Sequence, residues 1–411
     1  MSNLVFIFKI IIFFVIIYLV RHFEKFSIYI LQKLGSFYIK CAQFLSSRKD
    51  LVGYTRSDKL TKLQYAVSYD KNIKLDLPEI LLENIEYINE IPIKSASIAL
   101  VYKARLKNGC DIAIKIVKQK EKMKLINECK TIAKFGKVLH KFRILKRFNF
   151  EKITNEISSN ILQELSMTKE ALNINHFRFL IKDISAISAP FIYTKFCTEN
   201  IIVMSWIDGM TILEVNKDSN IALQEKRRIA KEILDSHLTQ AYIDNIFHAD
   251  LHTSNIMYGK DKKIYFIDFG AYCKISKADA NALLEIIRAF LHKDYLKLAK
   301  IHKQIGWIEN GTNLNEFSNE CKKIGDLYFN SNNLSIGEIF HSLIQVSNKF
   351  GMEIQPQLIL LQKTMAMIEG LIRNLDENCN VLQLSKDKID EIYFRLFIYK
   401  VINNILCWFK L

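Results

Sequence analysis

Glycine and proline are scarce in this chain, at 13 and 4 among 411 residues. That scarcity excludes collagen-like and Gly/Pro-linker compositions and argues against turn-rich β architecture, since tight turns draw on those two residues. Cysteine occurs at Cys41, Cys110, Cys129, Cys197, Cys273, Cys321, Cys379 and Cys407, never as Cys-x-x-Cys. The pattern fits reduced thiols, neither a disulfide framework nor a zinc site. A dinucleotide glycine fingerprint and an iron-ligand triad are both missing, which leaves a hydroxylase reading without support. Acidic residues are the minority charge, 43 against 58 Lys and Arg, for a net +15. Such an excess suits nucleic acid or an anionic membrane surface. The basic residues are spread along the chain and no nucleic-acid module motif is present, so an anionic membrane surface is the expected partner and nucleic acid is not. No internal repeat or low-complexity linker is visible.

What is abundant is apolar, helix-compatible sequence: hydrophobic residues make up 50%. The length admits two or three domains, or one large two-lobed enzyme with extensions. The N-terminus is apolar from Leu4 to Val20, broken by Lys9 and followed by Arg21, His22 and Lys25. Such a run barely spans a bilayer and its lysine would have to snorkel, so a spanning helix and a seated anchor both remain open. The basic flank argues for a body on the cytoplasmic side, and the absence of a basic n-region or small-x-small site argues against a cleaved signal peptide. The last stretch, Tyr393 to Leu411, mixes apolar residues with Arg395, Lys400 and Lys410. It reads equally as a second membrane contact or as an amphipathic helix packed on the body.

Between these ends, residues 27–90 carry apolar residues at helical spacing. From Pro92 the pattern changes. Ile98–Leu106 and Asp111–Val117 are β-branched-rich runs joined through Asn108-Gly109, a hairpin signal that places Lys115 on a strand. A helical section over about 121–180, a strand at Ile201–Trp206, and a helical remainder after Ala278 follow. Three pieces of this order carry chemistry: Lys115 in Ile112-Ala113-Ile114-Lys115, Asp250 and Asn255 in His248-Ala249-Asp250-Leu251-His252-Thr253-Ser254-Asn255, and Asp268-Phe269-Gly270. Protein kinases use a strand lysine on the α/β-phosphates, a loop aspartate beside the nucleophile, and Asn plus the Asp of Asp-Phe-Gly on magnesium, with the loop Asp and Asn five residues apart as here. Asp268 alone would equally be a solvated turn acid; the ordered set points to phosphate chemistry. His248 and His252 suit loop stabilisation better than metal binding, because magnesium prefers oxygen.

Four further stretches give the chain its resemblance to the UbiB family of atypical protein-kinase-like ATPases, whose members support ubiquinone biosynthesis at membranes. Leu34 to Leu51, with Lys40 and Gln43, is similar to the family's Lys-x-Gly-Gln helix. Ser95-Ala96-Ser97-Ile98-Ala99 resembles its alanine-rich loop. Glu164-Leu165-Ser166 with Lys169 to Asn173 resembles its Glu-x-Asp segment, and His248 to Asn255 resembles His-Ala-Asp-Pro-His-Pro-Gly-Asn. Lys40 and Gln43 share one helix face, which by itself is also what a solvated face would show. Cβ atoms in the alanine-rich loop disfavour φ > 0, so the nucleotide should be held differently from a protein kinase's. The resemblance assigns Glu170 as the acid pairing Lys115, with Glu128 as competitor, and implies a nucleotide site of Ser95, Ala96, Ser97, Ile98, Ala99, Val101, Lys115, Glu170, Met204 and Trp206. Asn255 and Asp268 would hold magnesium, Asp250 would orient or deprotonate the nucleophile, and Lys40, Gln43 and Glu164 would be family-motif residues.

Two positions depart from the family. Ala42 replaces glycine, which is harmless or stabilising inside a helix unless a ligand approaches the backbone. Ser166 replaces an acid and cannot supply its charge. The expected fold class is α+β: a protein-kinase-like two-lobed fold with a small antiparallel-sheet N-lobe, a helical C-lobe, a helical N-terminal extension and a membrane-associated terminus. The division is 1–26 anchor or transmembrane helix, 27–90 helical extension, 91–208 N-lobe with helical insertion, 209–392 C-lobe and 393–411 apolar basic tail. The implied function is a Mg-ATP-dependent ATPase or phosphotransferase at the cell inner membrane. Its partners would be a polyprenyl quinone precursor or other isoprenoid lipid and quinone-biosynthesis enzymes. Alternatives are a true protein or small-molecule kinase and a non-catalytic, nucleotide-gated lipid-binding scaffold.

Overall fold

The computed structural model describes residues 3–47, 52–61, 77–95, 98–140, 150–182, 184–309, 311–329, 336–352 and 356–408. In chain order the elements begin with helices α1 (Asn3–Leu19), α2 (Glu24–Leu34), α3 (Ser36–Ser47), α4 (Tyr54–Thr61) and α5 (Glu79–Leu82). Strands β1 (Ile85–Ile88), β2 (Lys94–Ser95), β3 (Ala99–Leu106) and β4 (Asp111–Val117) follow, then helices α6 (Gln119–His140), α7 (Phe150–Glu164) and α8 (Met167–Leu180). Next come β5 (Ile187–Ser188), β6 (Ile201–Ser205), β7 (Gly209–Thr211), α9 (Ile212–Lys217), α10 (Leu223–Thr239), β8 (Ile246–His248), β9 (Ile256–Gly259), β10 (Ile264–Phe266) and β11 (Tyr272–Lys274). The chain ends in helices α11 (Lys277–Leu291), α12 (Tyr295–Gln304), α13 (Leu314–Phe329), α14 (Ile336–Lys349), α15 (Pro356–Leu375) and α16 (Val381–Trp408). Two compact units result. One comprises Met1–Phe177, Pro190–Trp206 and Asp268–Gly270; the other comprises Arg178–Ala189, Ile207–Ile267 and Ala271–Leu411.

The first unit is built on a five-stranded sheet in which β1, β3, β4 and β6 are neighbours and β2 also pairs with β3, all antiparallel. The Asn-Gly hairpin forms as the sequence indicates: Gly109 takes φ +84° and the Asn108 side chain accepts from Cys110 N at 3.1 Å. Period-two alternation splits the strands cleanly between two faces. Leu100, Tyr102, Ala104, Ile112, Ile114, Ile201 and Val203 point to one side and join Leu81 and Phe196 in a buried cluster. The other face carries Val101, Lys115 and Met204. Beside the sheet, α6 and α7 cross at Gly136, where an added Cβ would fall 2.0 Å from Thr154 Oγ1, so only glycine permits the approach.

The N-terminal helix α1 is not uniform. Phe6, Ile10, Phe13, Ile16 and Ile17 are buried, with Phe6 and Phe13 against Phe37 and Tyr38 of α3, whereas Phe8, Ile11, Phe14, Val15 and Tyr18 are exposed. Lys9 does not snorkel: it donates to Leu34 O at 3.4 Å. Among the described residues no helix is long and apolar enough to cross a membrane.

The second unit holds a four-stranded sheet in the order β5-β10-β9-β7, a β8–β11 pair, and the C-terminal helices. Three of its helices, α9, α11 and α12, start at side-chain caps. Thr211 and Glu214 form a reciprocal capping box on α9, while Ser276 and Asp294 accept from Asp279 N and Lys297 N at 3.0 and 3.1 Å. After α10 the chain makes one π turn over Gln240–Asp244 and enters β8 through Asn245 at φ 57°, a left-handed conformation that asparagine tolerates.

Candidate functional site

In the first unit, antiparallel register places Lys94 of β2 opposite Val101 of β3, Val101 opposite Lys115 of β4, and Lys115 opposite Ile202 of β6. Directly opposed residues share a face, so both lysines project from the side opposite the apolar cluster. Lys115 is only 12% exposed, and its Nζ lies 2.7 Å from Glu170 Oε1 and 3.2 Å from Asp268 Oδ2. Burial alone would lower the lysine's pKa; Asp268 and Glu170 overturn that and raise it. Burial pushes the Glu170 carboxyl up, Lys115 opposes the shift, and the Asp268 charge reinforces it.

Glu170 is positioned by helix α8. Ser166 caps that helix, its Oγ accepting from Lys169 N at 3.3 Å and its carbonyl from Glu170 N at 3.0 Å. Three side chains at i, i+3 and i+7 on α8 then grip the Asp-Phe-Gly turn. Phe269 N donates to Glu170 Oε1 at 3.3 Å, Asn173 Nδ2 donates to Phe269 O at 3.0 Å, and the Phe177 ring packs 4.9 Å from that of Phe269. Asp268 accepts from Gly270 N at 3.1 Å, which closes the turn. Glu128, the competing partner, sits elsewhere: it is buried on α6, with burial raising its pKa and Oε2 unpartnered. Of the two carboxylates, it is that of Glu170 that lies against Lys115.

The remaining residues of the expected nucleotide site are distributed as follows. Ser95 ends β2; Ala96 and Ser97 lie outside the described residues. Ile98 and Ala99 are buried at the start of β3. Met204 pairs with Ala113, so it shares a face with Lys115 and Val101. Trp206 N donates to Asp111 O at 3.0 Å, and its ring takes Lys103 Nζ at 4.9 Å. Lys40 of α3 forms an ion pair with Glu164 of α7, and Gln43 is half-buried one turn further along α3.

In the second unit, β8 delivers the His248–Asn255 loop. His248 is buried, and its Nδ1 accepts from Asp250 N at 3.1 Å. Asn255, also buried, closes the loop: its N donates to His252 O at 2.9 Å and its Nδ2 to Asp250 O at 3.3 Å. The loop-stabilising expectation for the histidines fits this network, with His252 Nδ1 sharing a 2.8 Å hydrogen bond with Ser254. Asp250 meets Lys363 of α15, Nζ to Oδ1 3.1 Å, and His252, Nε2 to Oδ2 3.6 Å. Burial would raise the Asp250 pKa; Lys363 foremost, then the two histidines, hold it below the ordinary carboxylate value.

Sequence reasoning missed Lys94, Asn173, Phe177 and Lys363. The i, i+3, i+7 spacing of Glu170, Asn173 and Phe177 offered a signal for the α8 face; Lys363 had none.

Two family models match: the ABC1 atypical kinase-like domain over residues 66–302 and the UbiB helical domain over residues 321–380. The chain belongs to the UbiB family of ABC1 atypical kinase-like proteins. Relatives described as probable protein kinase UbiB include one from Shewanella baltica, 30% identical over 379 residues covering 88% of this chain and 68% of the relative. Another, from Blochmanniella pennsylvanica, is 31% identical over 369 residues, covering 85% and 67%. Among solved structures, the Rv3197–erythromycin complex from Mycobacterium tuberculosis matches with TM-score 0.53 and 20% identity over 72% of this chain and 75% of that one. At that identity the likeness concerns the fold. The kinase-like α+β architecture expected from the sequence is the one observed.

Proposed function

We propose that this UbiB-family protein is a membrane-associated enzyme that binds Mg-ATP and hydrolyses it, or transfers its γ-phosphoryl group, in support of polyprenyl quinone (ubiquinone) biosynthesis. The observation that carries the reading is the buried Lys115 ammonium set between the Glu170 and Asp268 carboxylates, with 2.7 and 3.2 Å contacts. An ammonium oriented in this way suits the α/β-phosphates. Val101 and Met204, on the same sheet face, supply apolar surface for a base, and Trp206 follows directly.

Asp268 in the first unit and Asn255 in the second each offer an oxygen donor, the chemistry magnesium prefers. Among the described residues no cluster of three or more His, Cys, Asp or Glu could hold a metal by itself. That suits magnesium, which is commonly bound through one or two side chains together with substrate phosphates; when bound it would neutralise charge on the β- and γ-oxygens. Asp250 would receive the proton of the attacking water or acceptor hydroxyl. The new O–P bond forms as the bond from Pγ to the β-bridging oxygen breaks, with its electron pair leaving on ADP.

The exposed stripe Phe8, Ile11, Phe14, Val15 and Tyr18 on α1, followed by Arg21 and Lys25, supports seating of that helix in an anionic interface with its buried side held on α3. Residues 393–402 of α16 expose Phe394, Phe397, Tyr399 and Ile402, which supports a second contact of the same kind. The test is purified protein in lipid or detergent: Mg-ATP turnover is expected, and Asp268→Asn should abolish it while leaving the fold intact. Unchanged turnover in that variant would remove Asp268 from the chemistry. Deletion of the gene should lead to accumulation of an early prenylated precursor, detected by mass spectrometry; normal quinone levels would remove the pathway assignment.

A further inference from the structure

Helix α15 lies in the segment matched by the UbiB helical domain and carries Lys363, 113 residues from Asp250, whose ammonium meets that carboxylate. The helix is fixed by its buried stripe Leu361, Thr364, Met365 and Ile368. Lys363 projects from the margin of that stripe, its side chain 23% exposed, and donates to Asp250 Oδ1 at 3.1 Å. The two carboxylate oxygens of Asp250 are therefore inequivalent. Oδ1 is engaged by the ammonium, while Oδ2 faces His252 Nε2 at 3.6 Å, beyond hydrogen-bond range. The loop itself contributes no lysine or arginine anywhere from His248 to Asn255. A carboxylate that must work beside a triphosphate carries the same sign of charge as its substrate, so a neighbouring cation reduces that repulsion and fixes the rotamer.

We propose that Lys363 is a positioning residue for Asp250: it engages one oxygen of that carboxylate, presents the other to the nucleophile's proton, and so gives the C-terminal helical region a working role within the second unit. This rests on the function proposed above. In the step concerned, the proton passes from the nucleophile to Oδ2 as the nucleophile–Pγ bond forms and ADP leaves with the electron pair of the broken bond. Lys363 forms no covalent bond.

The experiment uses the full chain in lipid, with Mg-ATP turnover and Mg-ATP binding measured for wild type, Lys363→Met, Lys363→Arg, Asp250→Asn and the Asp250→Asn/Lys363→Met double variant. Methionine keeps the stem of the side chain, and thermal midpoints verify that each variant folds. Lys363→Met should lower kcat about 10- to 100-fold with KM for ATP changed less than about threefold, the signature of lost orientation and not of lost binding. Lys363→Arg should recover most of the loss, and Lys363→Met should add nothing in the Asp250→Asn background. An active wild type whose Lys363→Met variant keeps or exceeds its kcat, loses ATP binding in proportion, or is additive with Asp250→Asn overturns this inference alone. A folded wild type without ATP turnover overturns the proposed function and this inference with it.

Discussion

Glu170→Gln is the most direct probe of the ion pair on which the site is built. The substitution removes one negative charge at almost constant volume. Lys115 and Glu170 are 12% and 2% exposed and 2.7 Å apart, so the pair is largely withdrawn from solvent. At an effective dielectric of ~20, opposite charges with centres about 3.5 Å apart attract by roughly 5 kcal/mol. Desolvation offsets much of that gain, but removing one partner leaves the other charge buried and uncompensated, which costs ~3–5 kcal/mol. Asp268 remains 3.2 Å from the ammonium, although it is 37% exposed and therefore weaker. The expected loss is therefore about 2–3 kcal/mol, or ~4–12 °C in Tm for a unit of this size. Denaturant unfolding of wild type, Glu170→Gln and Glu128→Gln measures it. Glu128 shares with Glu170 the burial and the one unpartnered oxygen but has no ion pair among the described residues, so its amide variant should stay within ~0.5 kcal/mol of wild type. A Glu170→Gln loss below ~0.5 kcal/mol, or an equal loss in Glu128→Gln, would refute the assignment of Glu170 as the lysine's partner.

Lys94 stands in one cross-strand row with Val101 and Lys115; burial foremost lowers its ammonium's pKa, with Asp268 opposing and Lys115 adding to the shift, and Lys94→Ala should raise KM for Mg-ATP about tenfold while adenosine binding is unchanged. Equal loss for ATP and adenosine would show that Lys94 shapes the strand and not the phosphate contact. His237 and His302 are buried neutral, with burial holding their pKa values down to about 3 and about 4 against an ordinary 6.5. Because folding depresses both, the stability they favour is complete above pH 6.5 and declines as pH falls from 6.5 towards 4, by about 2–3 kcal/mol each at pH 4.5. Urea titrations across pH 7.5 to 4.5 should show His302→Gln with a shallower acid loss than wild type; identical slopes would contradict the assignment.

The sequence displays best what is encoded locally. The Asn108-Gly109 turn fixes the β3–β4 hairpin, strand alternation then decides which face Lys115 occupies, and the five-residue step from Asp250 to Asn255 is a property of one loop. Partners of these residues are non-local. Glu128 lies on the helix that follows β4 directly, yet it is Glu170, 55 residues beyond Lys115, that reaches the lysine, because α8 also grips Phe269 through Asn173 and Phe177. Lys363 is one of many lysines in a basic chain, and only the seating of α15 brings it to Asp250. The α1 run shows why hydropathy alone stopped short. Both its faces are apolar, one meeting Phe37 and Tyr38 and the other exposed, so no periodic contrast marks which is which.

The serine at position 166 gains a different meaning from its surroundings. In the sequence it stands where the family has an acid, and so reads as a lost carboxylate. In the structure it is the cap of α8, the helix whose first turn carries Glu170 and whose next two turns hold the Asp-Phe-Gly segment. An N-cap serine satisfies an otherwise unpaired helix N–H about as well as aspartate does. The geometry on which Lys115, Glu170 and Asp268 depend is thus preserved without the acid. What the substitution removes is one negative charge at the positive end of a helix, near an ion pair already dense in carboxylates. Less negative charge there weakens the attraction for a metal and also lessens the repulsion of a triphosphate. If the proposed function holds, its effect would therefore fall on the balance between magnesium and nucleotide affinity, leaving the construction of the site intact.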